Sequence, residues 1–166
     1  STGFLVAAEQ FSTIWLTGLS PSWRRSNRLM KTILYMATTI DGFVAREDDR
    51  TDFVSEIEWK SFRAMVKRVG NIVIGRRTFE LMEKGNELPD LDEVTVVVVT
   101  SHEFFVSDSR IQVVNSPGQA LDLLRGKNFK QALVAGGGTI NASFMEQKSI
   151  DEIFLDVEPV ALGDGI

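Results

Sequence analysis

Gln131-Ala-Leu-Val-Ala-Gly136-Gly137-Gly138-Thr139-Ile140-Asn141-Ala142-Ser143-Phe144-Met145 joins a strand, a glycine turn and a helix start in one short segment. Ala132 to Ala135 are small and apolar, as in a strand buried on both faces. After the glycines, Thr139 reads as an N-cap, and Ile140, Phe144 and Met145 recur at helical spacing. A strand that feeds a helix through glycines leaves backbone N–H groups uncovered at the positive end of the helix dipole, where a phosphate can sit. A tight turn with no ligand fits the glycines equally well. The pattern is neither G-x-G-x-x-G nor a P-loop, because no Gly-Lys-Ser/Thr follows.

Working outward, a second junction of the same kind lies upstream. Asn71-Ile-Val-Ile-Gly75 reads as a short buried strand, Arg76-Arg77-Thr78 follows, and Phe79 to Lys84 is a brief helix closed by Gly85. Val94–Thr100 is apolar enough for an interior strand, with Ser101-His102 at its end. Thr32–Ile40 is rich in β-branched residues and reads as a central strand broken by Asp41-Gly42. Phe43-Val44-Ala45 resumes an apolar run, and Glu47-Asp48-Asp49 reads as a solvated turn. Ser55-Glu56-Ile57-Glu58 is a capping box, followed by Ile57, Phe62, Met65, Val66 and Val69 at helical spacing, with Gly70 as the stop. Ile111–Val114 is a strand, Ser116-Pro117 opens a helix through Leu124 that Gly126 ends, and Ile150–Val157 is the last strand. Alternation of strands and helices predicts an α/β fold with a mostly parallel sheet and helices on both faces.

The domain spans 30–166. Residues 1–29 form an N-terminal extension, whose first half reads as an amphipathic helix and whose second half, Pro21 to Arg28, reads as a linker. It is expected to be poorly ordered or loosely packed, and dispensable. Ser1 in place of methionine and the final Gly163-Asp-Gly-Ile166 suggest a fragment, or a start upstream of a true one at Met30.

A net charge of -5 argues against general nucleic-acid binding, which needs a basic face. The absence of cysteine excludes thiolate metal sites, and a single histidine, His102, argues against a metal centre or a Ser-His-Asp triad. No apolar run approaches the roughly 18 residues of a membrane span, so no membrane partner is expected and the cytoplasm is the default location.

Ligands of open α/β sheets bind beyond the carboxyl ends of the strands. Asp41-Gly42, Gly75-Arg76-Arg77-Thr78, Ser101-His102 and Gly136-Gly137-Gly138-Thr139 are the polar sets expected there. Several phosphate seats along one edge suggest an extended dinucleotide.

The motifs Thr38-Thr-Ile-Asp-Gly-Phe-Val-Ala45, Val73-Ile-Gly-Arg-Arg-Thr-Phe79, Val97-Val-Val-Thr-Ser101 and Val134-Ala-Gly-Gly-Gly-Thr139 carry a resemblance. The chain resembles the dihydrofolate reductase-like superfamily, and within it the reductase domain of bacterial bifunctional riboflavin-biosynthesis deaminase-reductases. The resemblance implies NADPH as cofactor and a dihydrofolate reductase-like fold. It implies that Gly75, Arg76, Arg77 and Thr78 contact the adenosine phosphate and pyrophosphate, and that Ser101 and His102 face the 2′-phosphate. Gly136, Gly137, Gly138, Thr139 and Ile140 form the second pyrophosphate cradle, and Ala37 and Val44 flank the nicotinamide. Glu56 falls near the carboxylate that grips the pterin in dihydrofolate reductases, although a solvated carboxylate at a helix start is an equal reading. Both families add a strand hairpin after the Gly-Asp-Gly segment. Its absence here predicts an open sheet edge.

The expected function is reduction of a small nitrogen heterocycle, with 5-amino-6-(5-phosphoribosylamino)uracil favoured over dihydrofolate, and Asp41, Glu56 or water as proton donor. A nucleotide-binding module without turnover and a small-molecule sensor are the rival readings. A homodimer is left open.

Overall fold

The computed structural model describes Thr13–Trp15 and residues 30–166. β-Branched runs produce the strands: β2 (Lys31–Thr39), β3 (Asn71–Gly75), β4 (Thr95–Val99), β5 (Ile111–Val114), β6 (Gln131–Val134) and β7 (Glu152–Glu158). Helices α1 (Glu56–Val69), α2 (Arg76–Lys84), α3 (Pro117–Gly126) and α4 (Gly138–Glu146) connect them. With β1 (Thr13–Trp15) the sheet order is β1-β7-β2-β6-β3-β4-β5. Every pairing from β7 to β5 is parallel, and β1 alone is antiparallel.

Side-chain alternation along the strands assigns each helix to a face. Ile33, Tyr35, Ile72, Ile74, Val96, Val98 and Leu133 pack with Phe62, Val66, Phe79 and Met82 of α1 and α2. Leu34, Val73, Val97, Ala132 and Val134 pack with Leu121, Leu124 and Phe144 of α3 and α4. The expected two-faced α/β sheet is therefore the observed one.

Some local readings change. Thr13–Trp15, read within an amphipathic helix, is a strand paired with Asp156, Leu155 and Phe154. The outer edge of β7, expected to be open, is covered there by β1. The remaining calls on residues 1–29 lie outside the described residues. Thr139 is not the cap of α4; Gly137 is, and the helix begins at Gly138. Phe43–Ala45 is a loop whose backbone bonds to Ile166, with Val44 N donating to its carbonyl at 2.7 Å.

The capping box of α1 is half realised. Ser55 Oγ accepts from Glu58 N at 3.2 Å, but Ser55 N donates to Glu158 Oε1 at 2.8 Å rather than to Glu58. The Glu58 side chain is thereby released toward the interior, where it is 4% exposed. Ile57, read as part of the apolar stripe, is 71% exposed. The inward row runs through Glu58, Phe62, Val66 and Val69, at steps of three and four.

Between β3 and β6, buried Asn71 replaces part of the ladder. Its Nδ2 donates to Gln131 O at 2.8 Å and its Oδ1 accepts from Leu133 N at 3.2 Å. These bonds hold the two central strands side by side at the start of β3, at the opposite end from its glycine turn.

Candidate functional site

The turns after β3 and β6 lie against one another. Ala135 N donates to Val73 O at 3.0 Å, and Gly75 N donates to Gly136 O at 2.8 Å. A Cβ at Gly75 would stand 2.9 Å from Ile140 Cγ1, so a side chain there would force the Ile140 side chain to shift. Gly136 has φ +94°, a conformation open to glycine and costly for L-residues. The Gly136–Gly137 peptide is cis.

The four helices divide by their caps. Ser55 and Ser116 cap α1 and α3 with hydroxyl acceptors. The helices that start at the glycine turns, α2 and α4, have Gly75 and Gly137 as N-caps, no side-chain cap bond and no acidic residue in the first turn. Their leading N–H groups therefore have no side-chain acceptor, and in α4 the first backbone bonds are those from Ile140 N and Asn141 N to Gly137 O.

Both starts border one cavity of about 880 Å³, within the usual size of small-molecule sites. Gly75 to Thr78 line it from α2, and Gly136 to Ile140 line it from α4. Ala37 and Val44 lie in its wall, as does Glu56. Two anticipated pairs do not line it. Ser101 and His102 are exposed beyond the end of β4, with Ser101 Oγ 3.4 Å from the His102 Nδ1. Asp41 accepts from Thr39 Oγ1 at 2.6 Å and from Leu162 N and Gly163 N at 3.0 and 2.8 Å. The Thr39 hydroxyl and those amides hold its pKa below the usual carboxylate range. This carboxylate pins the chain after β7 to the end of β2. Asp41→Ala is accordingly expected to lower the melting temperature while leaving cofactor affinity near wild type. Loss of turnover with an unchanged melting temperature would instead put Asp41 in the chemistry.

Glu47-Asp48-Asp49 is more than a solvated turn. Asp49 lines the cavity and forms an ion pair with Arg77, tying the loop after β2 to the start of α2. Arg76 pairs with Glu80 one turn on, at 3.4 Å.

Opposite the glycine turns, α1 supplies Glu56, Glu58, Trp59 and Phe62. Trp59 packs on Phe62 with ring centroids 5.3 Å apart and carries the Arg63 guanidinium 5.7 Å from its own centroid, so it serves core and cavity together. Glu58 was missed as a site residue. Burial, with the carboxylates of Asp156 and Glu158, raises its pKa to about 7, against an opposing hydrogen bond with Tyr35. The Tyr35 hydroxyl interacts with both Glu58 and Asp156, and burial and those two acids keep it protonated. The signal in the sequence was Glu58 lying four residues before Phe62 and eight before Val66. A carboxylate in an apolar row is a group poised for proton transfer.

A family model described as the RibD C-terminal domain matches residues 30–166. YwjB of Bacillus subtilis (strain 168), an uncharacterised protein, is 29% identical over 140 residues, covering 82% of this chain and 80% of YwjB. YyaP of the same organism, also uncharacterised, is 24% identical over 153 residues, 81% of this chain and 78% of YyaP. Among solved structures, a Shewanella sp. PV-4 protein provisionally described as a riboflavin biosynthesis protein superimposes with a TM-score of 0.66 at 24% identity, covering 82% of this chain and 81% of that one. The Thermotoga maritima diaminohydroxyphosphoribosylaminopyrimidine deaminase/5-amino-6-(5-phosphoribosylamino)uracil reductase superimposes with a TM-score of 0.64 at 16% identity, over 82% of this chain and 47% of that one. At these identities the two structures establish the shared fold. Among the described residues, no helix is long and apolar enough to cross a membrane, and no group of three or more acidic or histidine side chains is arranged to hold a metal ion.

Proposed function

The chain belongs to the RibD C-terminal domain family, and from that premise we propose that it is an NADPH-dependent reductase of a small nitrogen heterocycle. The observation that carries this reading is the pair of uncapped, glycine-led helix starts on one cavity whose opposite wall holds a buried carboxyl. The backbone N–H groups of α2 and α4 suit two phosphates of a dinucleotide, and Gly136, with no side chain, allows the closest approach. NADPH, when bound, supplies the hydride. Ala37 and Val44 are small or apolar enough to flank a nicotinamide, and Trp59 and Phe62 exclude water from the acceptor.

Reduction also consumes a proton. Glu58, holding one near neutral pH, is the donor to the nitrogen of the C=N bond being reduced, with Tyr35, itself bonded to Asp156, holding its carboxyl. Glu56, exposed at the start of α1, is placed to orient the acceptor at the cavity mouth. The resemblance brings two acceptors, 5-amino-6-(5-phosphoribosylamino)uracil and dihydrofolate.

The test is consumption of NADPH with each acceptor, alongside cofactor titration by quenching of tryptophan fluorescence, since Trp59 lines the cavity. Binding without oxidation of any heterocycle would favour a nucleotide-binding module. Arg76 and Arg77 at α2, with Ser101 and His102 beyond β4, are assigned to the adenosine 2′-phosphate. A charge-assisted contact contributes roughly 1.5–3 kcal/mol, or on the order of 10- to 100-fold in affinity. One of Arg76→Ala and Arg77→Ala is expected to erode the preference for NADPH over NADH by about tenfold while sparing NADH. Equal losses for both cofactors would move the arginines to the pyrophosphate.

A further inference from the structure

β7 reverses the usual strand pattern toward its carboxyl end. Its inward residues are Phe154, Asp156 and Glu158, exposed by 4%, 2% and 5%, while the apolar Leu155 and Val157 are only half-buried. Parallel pairing sets Phe154 beside Tyr35, Asp156 beside Ala37 and Glu158 beside Thr39. Two carboxyl groups thus stand on the face that packs against α1, where Tyr35, Phe62 and Phe154 form part of the core. Burying acids there is unfavourable unless each finds a donor. Glu158 accepts from Ser55 N at 2.8 Å. Asp156 has the Tyr35 hydroxyl, which also reaches Glu58. Other charges near α1 are engaged or absent. Asp90, in the 3₁₀ turn Leu88–Leu91, is held by Arg63 at 2.7 Å, and β3 and β6 carry no charged residue.

A phenol has one O–H proton to donate, so Tyr35 serves one of its two acids at a time. Charge decides which, because a hydrogen bond to an ionised acceptor is about twice as strong as one to a neutral acceptor. While Glu58 is protonated, the Tyr35 O–H belongs to Asp156. Once Glu58 ionises, it competes for the same proton. On the reading of Glu58 as the proton donor of a reductase, we infer that Tyr35 and Asp156 are a positioning pair for the proton step. As the Glu58 O–H bond breaks and the N–H bond of the product forms, the Tyr35 O–H swings from Asp156 to the new Glu58 carboxylate. Tyr35 keeps its own proton throughout, and both electrons come with the hydride of NADPH. The buried acids of β7 thereby keep Glu58 protonated beforehand, and Tyr35 steadies its charge afterwards.

Tyr35 is the only tyrosine of the chain, so tyrosine labelled with carbon-13 at Cζ gives one resonance that reads its hydroxyl in the unaltered protein. The full chain is titrated by NMR across the range from about pH 5 to about pH 9. The Cζ signal is expected to shift with a midpoint of about 7 as Glu58 ionises, while ultraviolet absorbance shows no tyrosinate. Glu58→Gln should abolish the shift. Asp156→Asn removes both a charge that keeps Glu58 protonated and the competitor for the hydroxyl, so the midpoint should fall by about one pH unit. The alkaline limb of NADPH consumption should move down with it. A flat Cζ signal in the wild type overturns the inference, as does a shift that survives in Glu58→Gln or a midpoint that Asp156→Asn raises or leaves in place. Wild type and Glu58→Gln suffice for the decision where the asparagine variant does not fold. The Cζ signal is read without turnover, which keeps the two readings apart. Protein that titrates as expected but consumes no NADPH with any acceptor ends the reductase reading and the proton step with it, whereas a flat signal in protein that turns over ends this inference alone.

Discussion

Glu58→Gln is expected to abolish most turnover while raising stability above neutral pH. Loss of a positioned proton donor typically costs 10²- to 10⁴-fold, and glutamine keeps the shape of the side chain without the acidic proton. Turnover should fall by at least about 100-fold while NADPH affinity holds. The stability effect follows from linkage. Glu58 is raised from 4.5 to about 7 by burial and by Asp156 and Glu158. The folded state therefore holds a proton that the unfolded state has released between those values, and stability falls as pH rises through that window. A shift of this size corresponds to about 3 kcal/mol between its ends. Glutamine has no proton to lose, so the variant should melt near wild type below about pH 4.5 and increasingly above it as pH rises to about 7, where the difference levels off. Thermal unfolding of both proteins across the window checks the slope. An identical pH slope in the variant would show that Glu58 is not the group titrating, and undiminished turnover would remove it from the chemistry.

Gly136 and Gly137 are expected to respond in opposite ways to a side chain. Gly137 has φ -71° and ψ -171°, an extended conformation open to any residue, and its added Cβ would lie 3.4 Å from Thr78 Oγ1. Gly137→Val should fold. Its methyl groups would fill the space between the two helix starts and cover N–H donors there. Each charge-assisted bond lost costs roughly 1.5–3 kcal/mol, so cofactor affinity should drop by on the order of 100-fold or more if two are lost. Gly136 has φ +94°, and Gly136→Ala forces an L-residue into left-handed space at about 1–2 kcal/mol. That variant should melt lower whether or not cofactor is present. Normal NADPH binding by folded Gly137→Val would end the assignment of the cradle, and an unchanged melting temperature for Gly136→Ala would contradict the strain.

The two-faced parallel sheet was legible in the sequence because it depends on local periodicity. Val94–Thr100, Ala132–Ala135 and the row through Phe62, Val66 and Val69 each declare strand or helix within a few residues. The glycine turns were legible for the same reason, since glycines between a strand and a helix have few other uses. What the sequence left undetermined depends on partners distant along the chain. Glu58 looked like half of a capping box until Glu158, 103 residues away from Ser55, took the Ser55 N–H and let Glu58 turn inward. Asp41 looked like a proton donor at a strand end until the Leu162 and Gly163 amides, brought back by β7, occupied it. Asp49 looked solvated until α2 presented Arg77. A carboxylate takes its role from whichever donors and charges reach it first. Local pattern determined the sheet, its helices and the glycine cradle; only tertiary structure decided which acids hold the backbone and which face the cavity.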